Sequence, residues 1–457
     1  MGLDKKVLQG IVKEEERLIF DSIEDKYLSD VFGRKKGHAD ALIFVKSTAE
    51  VSEIIRYANA HKIPITPRGA GTNLVGSTVP ICGGIILDFS LMNRILEIDK
   101  DTMTACVEPG ILLSDFQEVI GKEGLFYPPD PGEKESSIGG NISTNAGGMR
   151  AVKYGVTRDY VRGLELVLAD GSIVNVGSKN VKDASGLSFK HLIIGAEGTL
   201  AVITKCILKL LPQPEHSQSV LVPYFNLEDG IRSVLKILQT NANPTALEFM
   251  ERKVVTLGEQ FTGIKYPCPK AGSYILLTFD GSKEEIDAKI NTVKELAMAN
   301  GAIDYIVLNK ELSEEIWKVR GALVKAVEEI SEQEPVDVVV PIDRTVEFVR
   351  FVNDLEKSSG MQMICFGHAG DGNIHLCLIR DEREEEVWVS ERHRHLKKIY
   401  RKATELNGLV SGEHGIGLSK RTYFFKETAK ENLIIMNKIK NALDPLHIFN
   451  DHKAYIE

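Results

Sequence analysis

With 457 residues the chain is too long for one ordinary hydrophobic core, so two or three domains are expected. Its 43% hydrophobic and 26% charged residues exclude disorder, collagen-like repeats and a coiled coil as the main architecture. A formal charge of -9, with no basic stripe interleaved with aromatics, argues against nucleic acid as a partner.

The opening MGLDKKVLQGIVKEEERLIF spaces its apolar residues as an amphipathic helix does and lacks the apolar run of a signal peptide or membrane span. A cytoplasmic protein with no membrane span is expected. Residues 41–45 read as a strand, 48–61 as a helix, and IPITPRG as a second strand running into a glycine-rich turn. Short β segments follow between 83 and 113, and ELVLADGSIVNV reads as a hairpin around Asp170-Gly171. The proline-rich LLPQPEHSQ, 210–218, marks a domain boundary. Beyond it VLVPYF, a helix over 227–240, ALEFME, SYILLTFD, a helix over 282–300 and IDYIVL form two β-α-β units, which predicts a ferredoxin-like α+β layer. A helix carrying Trp317 and Arg320, the strand VDVVVP, a helix over 344–359, a hairpin over 361–380 and a helix over 385–406 complete that domain. The last twenty residues read as a helix and a tail returning to the first domain.

The turn Arg68-Gly69-Ala70-Gly71-Thr72-Asn73-Leu74-Val75-Gly76 fails as a dinucleotide fingerprint, because Leu74 stands where G-x-G-x-x-G needs its last glycine. Its crowded N–H groups, with Thr72, Asn73 and Ser77 as side-chain donors, still form a nest suited to a pyrophosphate, although such a turn alone is more often only a turn. Two further segments, Pro128 to Gly148 and Gly195 to Leu200, are too poor in bulky side chains to fill a core. Backbone pressed against a flat or extended ligand is the expectation there. The six cysteines are dispersed with no C-x-x-C pair, so electrons must leave through another cofactor or another protein.

RGAGTNLVG, PPDPGEKESSIGGNISTNAGG, YGVTRDYV and GAEGTLAVIT resemble the FAD-binding domain of the vanillyl-alcohol-oxidase and p-cresol-methylhydroxylase (PCMH) superfamily. The similarity is to the branch of FAD-linked D-lactate dehydrogenases, glycolate oxidase catalytic subunits and D-2-hydroxyglutarate dehydrogenases. It implies an α+β fold: an N-terminal helical segment over 1–34, a PCMH-type FAD-binding domain of two α+β subdomains over 35–215, a ferredoxin-like α+β substrate-binding cap domain with a metal site over 216–440, and a segment over 441–457 returning to the FAD domain. It also implies that Gly69, Ala70, Gly71, Thr72 and Asn73 cradle the FAD pyrophosphate, with Pro67, Arg68, Gly76 and Ser77 beside them. Pro129, Asp130, Ser137, Gly140, Asn141, Ser143, Asn145, Gly148, Glu197, Gly198, Ile203 and Asn450 are expected along the rest of the cofactor. His61 precedes the strand and His38 lies far upstream, so non-covalent FAD is expected.

In the C-terminal half, a four-residue turn Gly370-Asp371-Gly372-Asn373 between apolar strands would pair Ala369 with Ile374 and His368 with His375. Opposed imidazoles about 5 Å apart at Cβ can share one metal ion. The loop Ser411-Gly412-Glu413-His414-Gly415 offers a carboxylate as third ligand, a donor set suited to zinc, iron or manganese. Histidines stacked in a sheet and a solvated glutamate are the bland alternative. The family pattern carries over His368, His375 and Glu413 as metal ligands, Asn373 as a substrate contact and His414 as catalytic base. Arg320 is expected to clamp the substrate carboxylate through its guanidinium fork, and a solvated helix arginine is its plain reading. The lysine and tyrosine that dicarboxylate-specific members carry before VDVVVP are absent, which favours D-lactate or glycolate. The expected reaction is hydride transfer from a small D-2-hydroxy acid to flavin N5. The expected acceptor is an electron-transfer flavoprotein, an iron–sulfur subunit or a cytochrome. A flavin oxidase of another alcohol or a sugar lactone, and a non-catalytic flavin electron-transfer subunit, are the competing readings.

Overall fold

The computed structural model describes residues 3–456. Two compact units emerge. One holds the chain up to Ala146, Val156–Gln213 and everything from Glu413 onward; the other holds Gly147–Gly155 and Pro214–Gly412. The break at Gln213 falls inside the proline-rich stretch. The chain rejoins the first unit at Glu413 rather than at 441, because the amides of Ile416 and Gly417 donate to Glu197 and those of Leu418 and Ser419 to the Val75 carbonyl. Gly147–Gly155 belongs to the second unit, where Val152 packs against Gly370 and Lys153 pairs with Asp280.

In the first unit Ala41–Phe44 and Ile65–Arg68 flank Ile85–Asp88 in parallel, and Leu18–Ile19 adds an antiparallel edge. The helix Thr48–His61 starts where the Ser47 hydroxyl accepts from the Glu50 amide and ends at left-handed Lys62. Its Val51, Ile54, Ile55 and Ala58 are buried in the core of that sheet. The opening helix spans only Lys5–Ile11. Arg17 then binds Glu14, Glu50 and the Phe44 carbonyl, which draws the chain onto the sheet edge as a strand instead of a longer helix. A second, five-stranded antiparallel sheet runs Ile95–Asp99, Thr104–Val107, Val202–Lys209, Val161–Val167, Ile173–Gly177. The last pair is the hairpin expected around Asp170-Gly171.

The second unit is one seven-stranded antiparallel sheet in the order Ile306–Val307, His216–Tyr224, Ser273–Gly281, Ala246–Glu251, Met363–His368, Asn373–Ile379, Gln333–Val339. Its first four strands, numbered along the chain, lie in the order 4-1-3-2, with Leu227–Leu238 and Lys283–Ala299 as crossover helices, which is the expected ferredoxin-like layer. The hairpin Met363–His368/Asn373–Ile379 and the strand Gln333–Val339 extend it. No helix among the described residues is long and apolar enough to cross a membrane.

Candidate functional site

The hairpin of the second unit carries three of the expected residues, in a register that differs from the expectation. His368 pairs with Asn373, and His375 pairs with Phe366. The turn is therefore Ala369 to Gly372, closed by the amides of Asp371 and Gly372 on the His368 carbonyl. Gly372, at φ +79°, takes the left-handed position, and a Cβ there would meet the Val340 carbonyl oxygen at 2.0 Å. Opposed residues and residues two apart share a face, so His368, Asn373 and His375 still point the same way. The imidazoles meet diagonally and edge-on, with Nε2 to Nε2 3.3 Å apart.

Two carboxylates missed in the sequence hold this face in place. Glu248 lies opposite His368 on the neighbouring strand, fully buried, and its Oε1 is 2.6 Å from His368 Nδ1. Its Oε2 accepts Arg320 Nε at 3.0 Å and Nη2 at 2.5 Å. Burial pushes this carboxyl up, but His368 and Arg320 beside it outweigh burial and hold it below the usual carboxylate range. Arg320 is itself buried, with its ring neighbour Phe366 5.1 Å from the guanidinium carbon, so the fork expected to clamp a substrate closes on an internal carboxylate. Asp337, opposite His375 on the other flanking strand, accepts Asn373 Nδ2 at 2.7 Å, Ser411 Oγ at 2.9 Å and the Gly412 amide at 3.0 Å. A side chain on Gly412 would strike Asn373 Nδ2 at 2.2 Å, so glycine is required where the chain passes this face. An acid inside each of the apolar strands ALEFM and VDVVV was the signal available in the sequence, since a buried carboxylate demands partners.

Glu413 and His414 follow Gly412 directly in the chain and belong to the first unit, with His414 Nε2 4.0 Å from Glu413 Oε1. Their loop is docked by Glu197, whose carboxylate accepts the Ile416 amide at 2.8 Å, the Gly417 amide at 2.9 Å and the Ser77 hydroxyl. Burial raises the Glu197 carboxyl above its ordinary value, against these hydrogen bonds. The Ser77 hydroxyl, expected to face a pyrophosphate, is thus turned to Glu197, while Asn73 closes its own turn on the Ser77 amide and the Thr78 hydroxyl.

All the residues expected along the cofactor except Gly148 fall in the first unit. The Ala70 amide donates to Ser137 Oγ, and a Cβ on Gly69 would lie 2.0 Å from that oxygen, so the glycine turn is laid directly on the start of Ile138–Thr144. Asn145, Glu197 and Asn450 all hold left-handed backbone. Such conformations persist in non-glycine residues only where the surroundings impose them, and they cluster at binding sites. The Asn450 amide side chain donates to the Glu197 carbonyl, and its backbone N–H to Ile65.

Comparison with known proteins matches the family described as "FAD binding domain" to residues 39–177 and "FAD linked oxidases, C-terminal domain" to residues 213–454. A D-lactate dehydrogenase of Anaerostipes hadrus is 41% identical over 95% of this chain and 94% of its own length. The glycolate oxidase subunit GlcD of Bacillus subtilis is 36% identical over 94% and 92%. A D-lactate dehydrogenase of Archaeoglobus fulgidus is 37% identical over 91% and 92%. Among solved structures, p-cresol methylhydroxylase with substrate bound superposes with a TM-score of 0.79 at 15% identity, covering 100% of this chain and 98% of that one, a likeness of fold alone. With the flavin domain, the oxidase C-terminal domain and full-length relatives in agreement, the chain belongs to the FAD-linked oxidase family, in the branch that contains D-lactate dehydrogenases, glycolate oxidase subunits and D-2-hydroxyglutarate dehydrogenases.

Proposed function

We propose that this FAD-linked oxidoreductase oxidises a short D-2-hydroxy acid, D-lactate or glycolate, to the 2-oxo acid, with His368, His375 and Glu413 holding a divalent metal and His414 as base. The observation that carries the reading is the imidazole pair. Two nitrogens each about 2.0–2.1 Å from one tetrahedral ion lie about 3.3–3.4 Å apart, and His368 Nε2 and His375 Nε2 are 3.3 Å apart. Two imidazoles and a carboxylate suit zinc, iron or manganese. The names of the relatives support the substrate class.

Bound FAD supplies the two-electron acceptor, and the metal ion supplies Lewis acidity toward the substrate oxygens. The chain's own residues do the rest. Both Asn373 Nδ2 protons are held, by Asp337 and the Val338 carbonyl, so Oδ1 is the atom it offers to a substrate hydroxyl. A ring nitrogen of His414 takes the hydroxyl proton, a role suited to an imidazole near neutral pH. For the flavin, Gly69 to Asn73 would cradle the pyrophosphate and Ser137, Gly140, Ser143, Asn145, Gly198 and Ile203 would line the remainder, a reading supported by the close backbone approach at Gly69. The electrons pass on to a partner protein, an electron-transfer flavoprotein or an iron–sulfur subunit. The dispersed cysteines support this: among the described residues none joins a metal-binding cluster.

Anaerobic addition of D-lactate or glycolate to the purified flavoprotein tests the reading. The flavin absorbance is expected to bleach with these acids, not with L-lactate, and to stop bleaching after chelation. His414→Ala should keep its flavin and lose about 10²–10⁴-fold in the bleaching rate. A His414→Ala variant that bleaches as fast as the parent removes the base assignment, and bleaching indifferent to chelation removes the metal.

A further inference from the structure

Glu248 is a charged side chain at the centre of the strand Ala246–Glu251, with paired strands on both sides and 0% exposure. Among the described residues its hydrogen-bond partners are His368 and Arg320, and neither lies beside it in sequence. A buried ion pair of this kind is a poor device for stability, since apolar residues of similar volume often serve the fold as well or better. Its geometry does something an apolar pair cannot. A neutral imidazole carries one N–H, and a carboxylate 2.6 Å from Nδ1 draws that proton to Nδ1. The lone pair is then on Nε2, which is the atom that faces His375 Nε2 at 3.3 Å. Arg320 balances the Glu248 charge from the side away from the imidazole, through Nε and Nη2 on the other carboxylate oxygen.

We propose that Glu248, held by Arg320, is the positioning residue of the imidazole pair: it fixes the tautomer and ring direction of His368 so that Nε2 is presented as a ligand alongside His375. This rests on reading His368 and His375 as metal ligands. Arg320 acts there behind the ligands, through Nε and Nη2 on the Glu248 carboxylate. Carboxylates in this position behind a metal-bound histidine typically contribute 10–100-fold to metal affinity.

The test is equilibrium dialysis of the chelator-stripped, FAD-loaded full chain against Zn²⁺, with bound metal counted by elemental analysis. The parent, His368→Ala, Glu248→Gln and the double variant Glu248→Leu/Arg320→Met are compared. The double variant replaces the buried ion pair with apolar volume, so it keeps the fold where Glu248→Leu alone would strand a buried guanidinium. The expected result is one Zn²⁺ in the parent, lost in His368→Ala, with affinity 10–100-fold weaker in the folded double variant and intermediate in Glu248→Gln. A folded double variant binding Zn²⁺ within about 3-fold of the parent overturns the positioning role and leaves the metal reading standing. A parent whose zinc binding is absent, or unchanged by His368→Ala, overturns the metal reading and this inference with it.

Discussion

Glu197 in the first unit and Glu248 in the second are both carboxylates removed from water, yet they are satisfied in opposite ways. Glu197 receives a hydroxyl and two backbone amides, all neutral, and its carboxyl is raised. Glu248 receives a guanidinium and an imidazole, and its carboxyl is lowered. Neutral donors aimed from the backbone fix where a loop runs but do not cancel the burial of a charge. The imidazole and the guanidinium together outweigh it, one on each carboxylate oxygen. The first arrangement holds a segment of chain; the second holds the direction of one ring.

The sharpest way to break this comparison is to remove the charge partner. Arg320→Met leaves Glu248 buried beside His368 without the guanidinium and should cost about 3–5 kcal/mol of stability in urea unfolding. A loss below about 1 kcal/mol would mean that the guanidinium is not what keeps Glu248 ionised. A smaller effect is expected at the other carboxylate. Glu197→Gln keeps one acceptor oxygen and turns an NH₂ group toward donors, costing about 1–3 kcal/mol. An unchanged midpoint would show that the loop from Gly415 to Ser419 does not depend on Glu197.

Lys453 extends the comparison to a cation whose hydrogen bonds, among the described residues, go to neutral acceptors, the Ser77 carbonyl and Asn450 Oδ1. Burial lowers its pKa from 10.5 to about 7. Above that pH the folded chain releases this proton while the unfolded chain keeps it until its ordinary value. The unfolded state then binds more protons, and stability rises with pH between about 7 and 9 by at most about 1.4 kcal/mol per unit. Below pH 7 the group contributes no slope, because both states are protonated. Unfolding of the parent and of Lys453→Met across pH 6–9 should differ by this slope, and parallel curves would show that Lys453 stays charged.

Periodicity and turn chemistry made most elements legible, among them Thr48–His61, the hairpin at Asp170-Gly171 and the ferredoxin-like layer. The family motifs made the flavin domain legible. The histidine hairpin was legible as a hairpin but not in register, because its turn contains two glycines with different duties. Gly372 takes the left-handed backbone, whereas Gly370 is needed for close approach, a Cβ there lying 2.5 Å from Val152. Only tertiary contact separates the two. The internal partner of Arg320 was hidden for the same reason. Its partner Glu248 is 72 residues away in sequence, and the acid inside the apolar strand ALEFM signals a need for partners without naming them. A guanidinium fork matches a carboxylate of the protein as well as one of a substrate.

The first unit is split by the whole of the second, and this bears on the order in which the protein can be made. Its parallel sheet depends on late-made residues: Ile65 exchanges backbone hydrogen bonds with Ile448 and Asn450, and Phe449 lies in the same core. Lys440 is buried among the Thr199 and Phe449 carbonyls and Asp444. On the ribosome the inserted unit has all its strands as soon as Gly412 has emerged, while the flavin-domain sheet waits unfinished for the segment beyond it. Its closing contacts join residues far apart in the chain, which makes that sheet the slower to form and the one exposed to aggregation during synthesis.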